Sequence, residues 1–346
     1  MRIGTVAMGG RRGVSKCLTS PCLVLRLRPR GGSGVRVAGG MNPYPRQLLV
    51  GVGVWYCSTT TKQRKVLMRI DTENNKIYVR QSWLKDMLLC PERARLGSIK
   101  PEFKTQNDSA AIGTAVHAGI EAVLSQRVST ADAPIVSLIK FKELETVGVN
   151  HTNVNPDSWH SHVLALTQAW VKDVYPQVPL GGSSEVPFAV PTGQSVAGYE
   201  LWFEGTMDYL HENGIWDWKT AARKYSILEK QTQDIQASIY NYAGFKLGVT
   251  NENSVFNFGV MIRVNNAYGQ IVSINRTKSH SDFVIQQAMT ACAMVLAMTN
   301  NTGIPTGNRW LINDQHYLCS QRWCSWWSIC KGAHISEPDN TGENNG

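Results

Sequence analysis

Acidic residues are missing from the first fifth of the chain. Residues 1–70 contain no Asp or Glu, while thirteen of the 35 Lys and Arg fall there; residues 71–346 hold the other 22 against all 26 acids. The net charge of +9 therefore belongs to a leader and does not mark the remainder as a polyanion-binding surface. An uninterrupted apolar run of bilayer-spanning length is also missing, so no membrane partner is expected. There is no Gly-rich phosphate loop, which excludes the Walker and dinucleotide-binding classes, and no internal repeat. Paired Cys-x2-Cys knuckles, the usual zinc signature, are absent. No ordinary signal peptide precedes the eight cysteines, so reduced thiols or metal ligands in a cytoplasmic protein are expected rather than disulfides.

At 346 residues, with 42% hydrophobic and 18% charged residues, the chain can bury a sizeable core as one large domain or two smaller ones. Residues 1–67 are rich in Gly, Arg and Val and show no period of 2 or 3.6. Three readings stand for them: an organelle transit peptide, a basic disordered arm, or translated sequence upstream of a true start at Met68, where composition turns ordinary at once. Low order is expected there on each reading. The working domain is expected over 68–332 and a polar, frayed tail over 333–346.

Tyr78–Arg80 reads as a short strand. Ser82 suits the N-cap of a helix Trp83–Leu89, with Lys85 and Asp86 in its first turn. That helix ends at Cys90-Pro91, because the residue before proline is pushed out of the α region. Ala115, Ile120, Val123 and Leu124 form an apolar stripe that predicts a helix over Ala111–Gln126, with His117 and Glu121 on one face. Ile135–Leu144 and Trp159–Val174 read as packing helices. Strands follow: Glu185–Val190, a turn near Pro191–Gly193, Tyr199–Phe203 running into Gly205–Leu210, and Ile215–Lys219. A long helix Ile227–Leu247 puts Gln236 and Tyr240 on one face. Ser254–Val264 and Gln270–Ile274 are further strands, and Asp282–Met298 is an amphipathic helix. The order of elements predicts an α/β or α+β sheet with helices on its faces.

Two stretches carry chemistry. The first is Gly205–Lys219, GTMDYLHENGIWDWK. Asn213-Gly214 between alternating segments predicts a hairpin. It sets Asp208 on one strand beside Asp217 and Lys219 on the other, and the last two are two apart and share a face. Two carboxylates bind a hard divalent cation through oxygen, and an ammonium beside them can orient a water or steady a phosphoryl oxygen. Glu185, Glu200 and Glu204 are further acids for such a site. A surface hairpin with scattered charges is the competing reading of this stretch alone. The second stretch, YLCSQRWCSWWSIC over 317–330, spaces Cys319-x4-Cys324-x5-Cys330 among three tryptophans. Zinc or a 4Fe–4S cluster usually takes four thiolates. Cys90 at its helix end is the candidate for the fourth, and a disulfide is the competing reading.

In chain order these pieces resemble the RecB-like branch of the PD-(D/E)xK nuclease superfamily. Within it they are most similar to the iron–sulfur exonucleases: the AddB nuclease domain, CRISPR-associated exonucleases and phage homologues. The matching motifs are Ser82…Cys90-Pro91, Gly113-Thr114-Ala115-Val116-His117, Gly205…Asp208, Asp217-Trp218-Lys219-Thr220, Gln236…Tyr240 and the three tail cysteines. Together they span about Tyr78 to Cys330. One departure is the gap of four between Cys319 and Cys324, where the family often has Cys-x2-Cys. The resemblance implies an α/β, restriction-endonuclease-like core with a mixed central sheet flanked by helices. It implies metal-dependent cleavage of DNA phosphodiesters, exonucleolytic on single strands or ends, in recombination, repair or replication. Mg²⁺ or Mn²⁺ would sit on His117, Asp208, Asp217 and the Trp218 carbonyl. Lys219 would activate water, Glu185 would be an outer-shell acid, and Gln236 and Tyr240 would meet the DNA strand. Cys90, Cys319, Cys324 and Cys330 would hold a 4Fe–4S cluster joining the two ends of the domain, with zinc as the alternative. DNA is the implied partner, with a recombination or helicase protein beside it, in a bacterial or phage-infected cytoplasm. The alternative function is a catalytically inactive or zinc-stapled DNA-binding or endonuclease module on the same fold.

Overall fold

Seven strands form one mixed sheet in the order β1-β2-β4-β5-β6-β7, with β3 paired to β4. The strands are β1 (Met68–Asp71), β2 (Lys76–Val79), β3 (Ser183–Val196), β4 (Tyr199–His211), β5 (Gly214–Ala221), β6 (Val255–Ile262) and β7 (Tyr268–Asn275). The β2/β4 and β5/β6 pairs are parallel and the rest antiparallel. This computed structural model describes residues 68–101, 107–150, 154–305, 309–321 and 323–331. The expectations for the leader and the tail lie outside the described residues.

Helices cover both faces. α1 (Gln81–Leu89), α7 (Ile235–Lys246) and α8 (Lys278–Met298) pack on one face, where Trp83, Leu84, Tyr240, Ala243 and Val295 meet Phe203, Ile215, Phe256 and Phe258. α3 (Asp108–Leu124), α4 (Ala133–Val147) and α5 (Trp159–Ala169) pack on the other, against Tyr209, Trp216, Trp218 and Met261. The period-2 alternation of β5 explains the division: Ile215 enters one core, Trp216 and Trp218 the other.

Several boundaries differ from the sequence reading. The first helix starts at Gln81 with Arg80 at its N-cap, so Ser82 lies inside it. Pro91 does not end helical structure but opens α2 (Pro91–Ile99), where proline fits the first turn and Cys90 serves as hinge between the two helices. The turn expected near Pro191–Gly193 is absent; β3 runs through it with a register shift between Pro191 and Ser195. The predicted Ile227–Leu247 helix is two, α6 (Ile227–Gln233) and α7. Asp234 breaks them in an extended conformation and caps α7 by accepting the Ala237 N–H at 2.9 Å. α8 is by length and composition apolar enough to cross a bilayer, although polar residues interrupt its apolar run, and its Val284, Ala288, Ala291 and Val295 are buried in the core.

The C-terminal segment closes on the N-terminal helices by main-chain and side-chain hydrogen bonds. Glu92, 1% exposed, accepts two bonds from Arg95 at 2.7 and 2.6 Å and one from the Trp310 N–H at 2.8 Å. Its own N–H donates to the Leu311 carbonyl at 3.1 Å. Asn313 donates to the Leu89 carbonyl at 2.9 Å, and the Trp326 indole donates to the Lys100 carbonyl at 3.0 Å. Removing one partner of a buried charged pair leaves desolvated groups behind. Glu92→Ala is therefore expected to cost about 3–5 kcal/mol, read as a lowered urea midpoint. The exposed pair Lys278–Asp282 serves as control, since Asp282→Ala is expected to cost under about 1 kcal/mol.

Candidate active site

The site lies where β4 and β5 part. Their ladder runs from His211↔Gly214 to Tyr209↔Trp216 and stops there, while residues 200–203 of β4 pair with β2 instead. Asp208 and Asp217 are the next positions in that register, just inside the fork. Asp208 takes up the lost ladder contact, its Oδ2 accepting the Trp218 N–H at 2.8 Å. On the far edge of β4, Ser184↔Tyr209 and Val186↔Met207 set Glu185 opposite Asp208, with Glu185 at φ 49°, a left-handed conformation costly for a residue with a Cβ.

α3 brings the histidine. Asn107 caps it by accepting the Ala110 N–H at 2.8 Å, and Gly113 lets it approach β5: a Cβ there would stand 3.2 Å from Thr220 Oγ1. One turn on, His117 Nε2 donates to the Trp218 carbonyl at 2.7 Å, and Nδ1 lies 3.6 Å from Asp208 Oδ2. Glu121 does not join the site by hydrogen bond; it pairs with Arg127 at 2.6 Å.

α7 supplies the opposite wall. Asp217, 1% exposed, accepts a hydrogen bond from Gln236 Nε2 at 2.6 Å on its Oδ1. Its Oδ2 is in direct ion-pair contact with the Lys219 ammonium. Burial pushes the Asp217 carboxyl up to about 6, against the pull of Lys219 and with a further push from Asp208. Burial works against the Lys219 charge too, but Asp217 and Asp208 outweigh it, and the ammonium holds its proton more firmly than an ordinary lysine. Burial, then Asp217 and Asp208, raise the Tyr240 hydroxyl, whose ring packs edge-on against Phe188 at 5.5 Å and over Gly205. Burial also raises Glu185, with Asp208 and Glu121 adding and His117 opposing.

His117, Asp208, Asp217, Trp218, Lys219, Gln236, Tyr240 and Glu185 thus gather at one fork. Glu204 does not: it is held by Arg69 at 3.2 Å and Arg80 at 2.9 Å on the β1–β2 side. Glu200 is drawn to the same side, pairing with Lys76 across β2/β4. The sequence reading also passed over Lys85 and Tyr225, which feel the charge of Asp217, and Lys230, which lies 4.4 Å over the Tyr225 ring. Lys230 and Asp234 carry the spacing of a helical i,i+4 pair, and in the structure they are one at 3.1 Å.

The second cluster also assembles. Cys90, Cys319, Cys324 and Cys330 all line one cavity between α2 and the C-terminal segment, with Leu89, Leu96 and Ile312. All four thiols are free, so the disulfide reading fails here. Burial raises Cys324 and Cys330, and the neighbouring sulfurs add to it. Trp326 is buried against Leu96 and Cys330, Trp327 lines the cavity, and Trp323 is 46% exposed. As they stand, no three His, Cys, Asp or Glu side chains among the described residues converge tightly enough to hold a single ion.

The sequence model of the PD-(D/E)XK nuclease superfamily matches residues 81–331, more than half of the chain. No curated protein matches. Six solved chains do. One is a crystal structure of a protein from Eubacterium rectale with a provisional exonuclease assignment, 16% identical, with a TM-score of 0.46 over 73% of this chain and 92% of that one. Another is SSO0001, 13% identical, with a TM-score of 0.35 over 76% and 89%.

Asp217 has a folded-state pKa above its unfolded value near 3.8, so the stability it contributes is complete below about pH 4 and is lost as pH rises through about 6. A cation bound at Asp217 would compete with that proton. Mn²⁺ affinity, followed by titration calorimetry between about pH 5 and 8, is expected to rise up to tenfold per unit to about pH 6 and then flatten. A profile without that bend would contradict the placement of a titrating Asp217 at the cation.

Proposed function

This chain belongs to the PD-(D/E)XK nuclease superfamily, and on that premise we propose that it hydrolyses DNA phosphodiesters as an exonuclease on single strands or ends. The observation that carries the proposal is the buried Asp217, its Oδ1 fixed by Gln236 and its Oδ2 against the Lys219 ammonium, with Asp208 at the same fork. Two carboxylates beside an ammonium offer hard oxygen to a cation and a point charge to a phosphoryl oxygen.

The residues suit a divalent cation. Asp217 Oδ2, Asp208 and the Trp218 carbonyl offer hard oxygen, and His117 already meets both Asp208 and that carbonyl. Bound Mg²⁺ or Mn²⁺ would polarise the phosphoryl oxygen and ease deprotonation of water. The chain's own groups do the positioning. Gln236 fixes the Asp217 carboxylate, and His117 orients the Trp218 carbonyl. Lys219, held cationic by the two acids, orients the attacking water and steadies charge on the phosphoryl oxygens. Tyr240 faces the strand from α7, and Glu185 backs Asp208 as an outer acid. The four thiols suit a 4Fe–4S cluster, since they ring an apolar cavity that joins the ends of the domain; zinc is the alternative occupant. Such a cluster would hold α2 and the C-terminal segment together.

Asp217→Ala and Lys219→Ala are each expected to lower cleavage of end-labelled single-stranded DNA at least about a thousandfold, with circular dichroism unchanged. Full activity in either would overturn the assignment. Protein purified without oxygen is expected to show the broad visible absorbance of an iron–sulfur cluster, lost in Cys319→Ser; a colourless protein containing zinc would replace the cluster by the alternative.

A further inference from the structure

We propose that the cavity between α6, α7 and α8 takes one nucleobase of the bound strand, near the phosphate that is cleaved. The proposal rests on the nuclease reading of the fork and extends it to how a base is held.

The cavity measures about 320 Å³, within the range of about 300–1,000 Å³ common for small-ligand sites. α8 gives it one wall: His280, Phe283 and Gln287 recur at steps of three and four, share a face and all line it. The end of α6 and the first turn of α7 give the other, with Gln233 and Ser238. Asp234 and Arg276, both buried, also line it. Asp234 and Ser238 bracket Gln236 in sequence, and Gln236 holds Asp217 at 2.6 Å on the fork side of α7. Cavity and fork thus lie on two sides of one turn of a helix, about 10–12 Å across with its side chains. A strand cleaved at the fork would reach the cavity with a nearby nucleotide, not with the reacting one.

The charges among the lining residues cancel. Asp234 and Arg276 are one of each sign, and both are engaged. Asp234 holds Lys230 at 3.1 Å and accepts the Ala237 N–H at 2.9 Å; Arg276 donates to the carbonyls of Lys230 and Gln231 at 2.5 Å. Burial and then Arg276 hold His280 below an ordinary histidine, so its ring is neutral at about pH 7. Its Nδ1 accepts the Thr277 N–H at 3.2 Å, which leaves the proton on Nε2. A lining with no charge to spare does not select an anion. What it has to spare is neutral. The amides of Gln233 and Gln287 and the His280 Nε2 have no hydrogen bond among the described residues, and Phe283 stands beside them 66% exposed. An amide offers donor and acceptor side by side, the pattern that base edges match, and an aromatic face stacks on any base. An exposed phenylalanine by itself needs no explanation; free amides on both walls of a cavity it lines are what point to a planar, neutral, hydrogen-bonding occupant.

The test walks a single abasic residue along a fluorescein-labelled single strand and measures binding by fluorescence anisotropy in EDTA, where no cleavage is required. The unaltered protein is expected to lose affinity about tenfold when the gap falls at one particular position. Phe283→Ala is expected to lose about as much on the complete strand and nothing further on the strand abasic at that position, while Phe283→Trp keeps its affinity. Gln233→Ala and Gln287→Ala are each expected to change the preference among bases at that position about fivefold, with the abasic strand unaffected. In Mg²⁺, Phe283→Ala is expected to raise KM more than it lowers kcat. The Phe283 side chain is exposed, so its loss leaves the fold intact by circular dichroism. Unchanged affinity in Phe283→Ala overturns the base site, and so does a Phe283→Ala loss that persists in full on the abasic strand. Loss of binding to free deoxynucleoside monophosphates with strand binding unchanged also overturns it, since the occupant is then a free nucleotide. Absence of cleavage in the unaltered protein overturns the nuclease reading, while the EDTA binding data still decide the base site.

Discussion

A carboxylate taken out of water is the constraint on which this architecture turns. Asp217 sits at 1% exposure on a central strand, where an isolated charge is strongly disfavoured. Three elements answer it. β5 itself brings Lys219 by its period of two, α7 brings Gln236, and the parting of β4 from β5 brings Asp208. Gln236 takes one oxygen and Lys219 the other. These groups are desolvated and fixed in place, so little reorganisation is left to them.

The two helical layers have different jobs around that acid. The α3–α5 layer delivers one imidazole, through a glycine that allows close approach to Thr220. The α1–α7–α8 layer delivers the amide and the phenol. The short helix α6 ends where Asp234 interrupts what would otherwise be a continuous helix, and α7 starts there with Gln236 turned toward Asp217. Local capping chemistry therefore helps set the geometry of the fork.

Much of this was legible in the sequence because it was written in short-range spacing. Asn-Gly marked the hairpin, the two-residue step put Asp217 and Lys219 on one face, and the four-residue step paired Gln236 with Tyr240. The cysteine spacing singled out Cys90, Cys319, Cys324 and Cys330, and the structure lines one cavity with all four. What was not legible was long-range. Glu204 reads as well as Glu185 in sequence, and only Arg69 of β1 and Arg80 at the N-cap of α1 remove it from the site. The continuation of β3 through Pro191 was hidden because proline normally signals a turn, yet a register shift near it absorbs the irregularity. Cys90-Pro91 misled in the opposite way: the same proline that ends one helix starts the next.

The clasp between Glu92 and Trp310 joins residues 218 positions apart. During synthesis α2 leaves the ribosome long before its partner exists. Until the C-terminal segment emerges, Glu92 and the cysteine cavity remain open to water, while α1 is held on the sheet by Trp83 and Leu84. Closing so long a loop is slow because its entropy is lost before its contacts form. Residues 310–326 thus complete contacts that begin at residues 89–100, and each of the two stretches satisfies polar groups the other leaves buried.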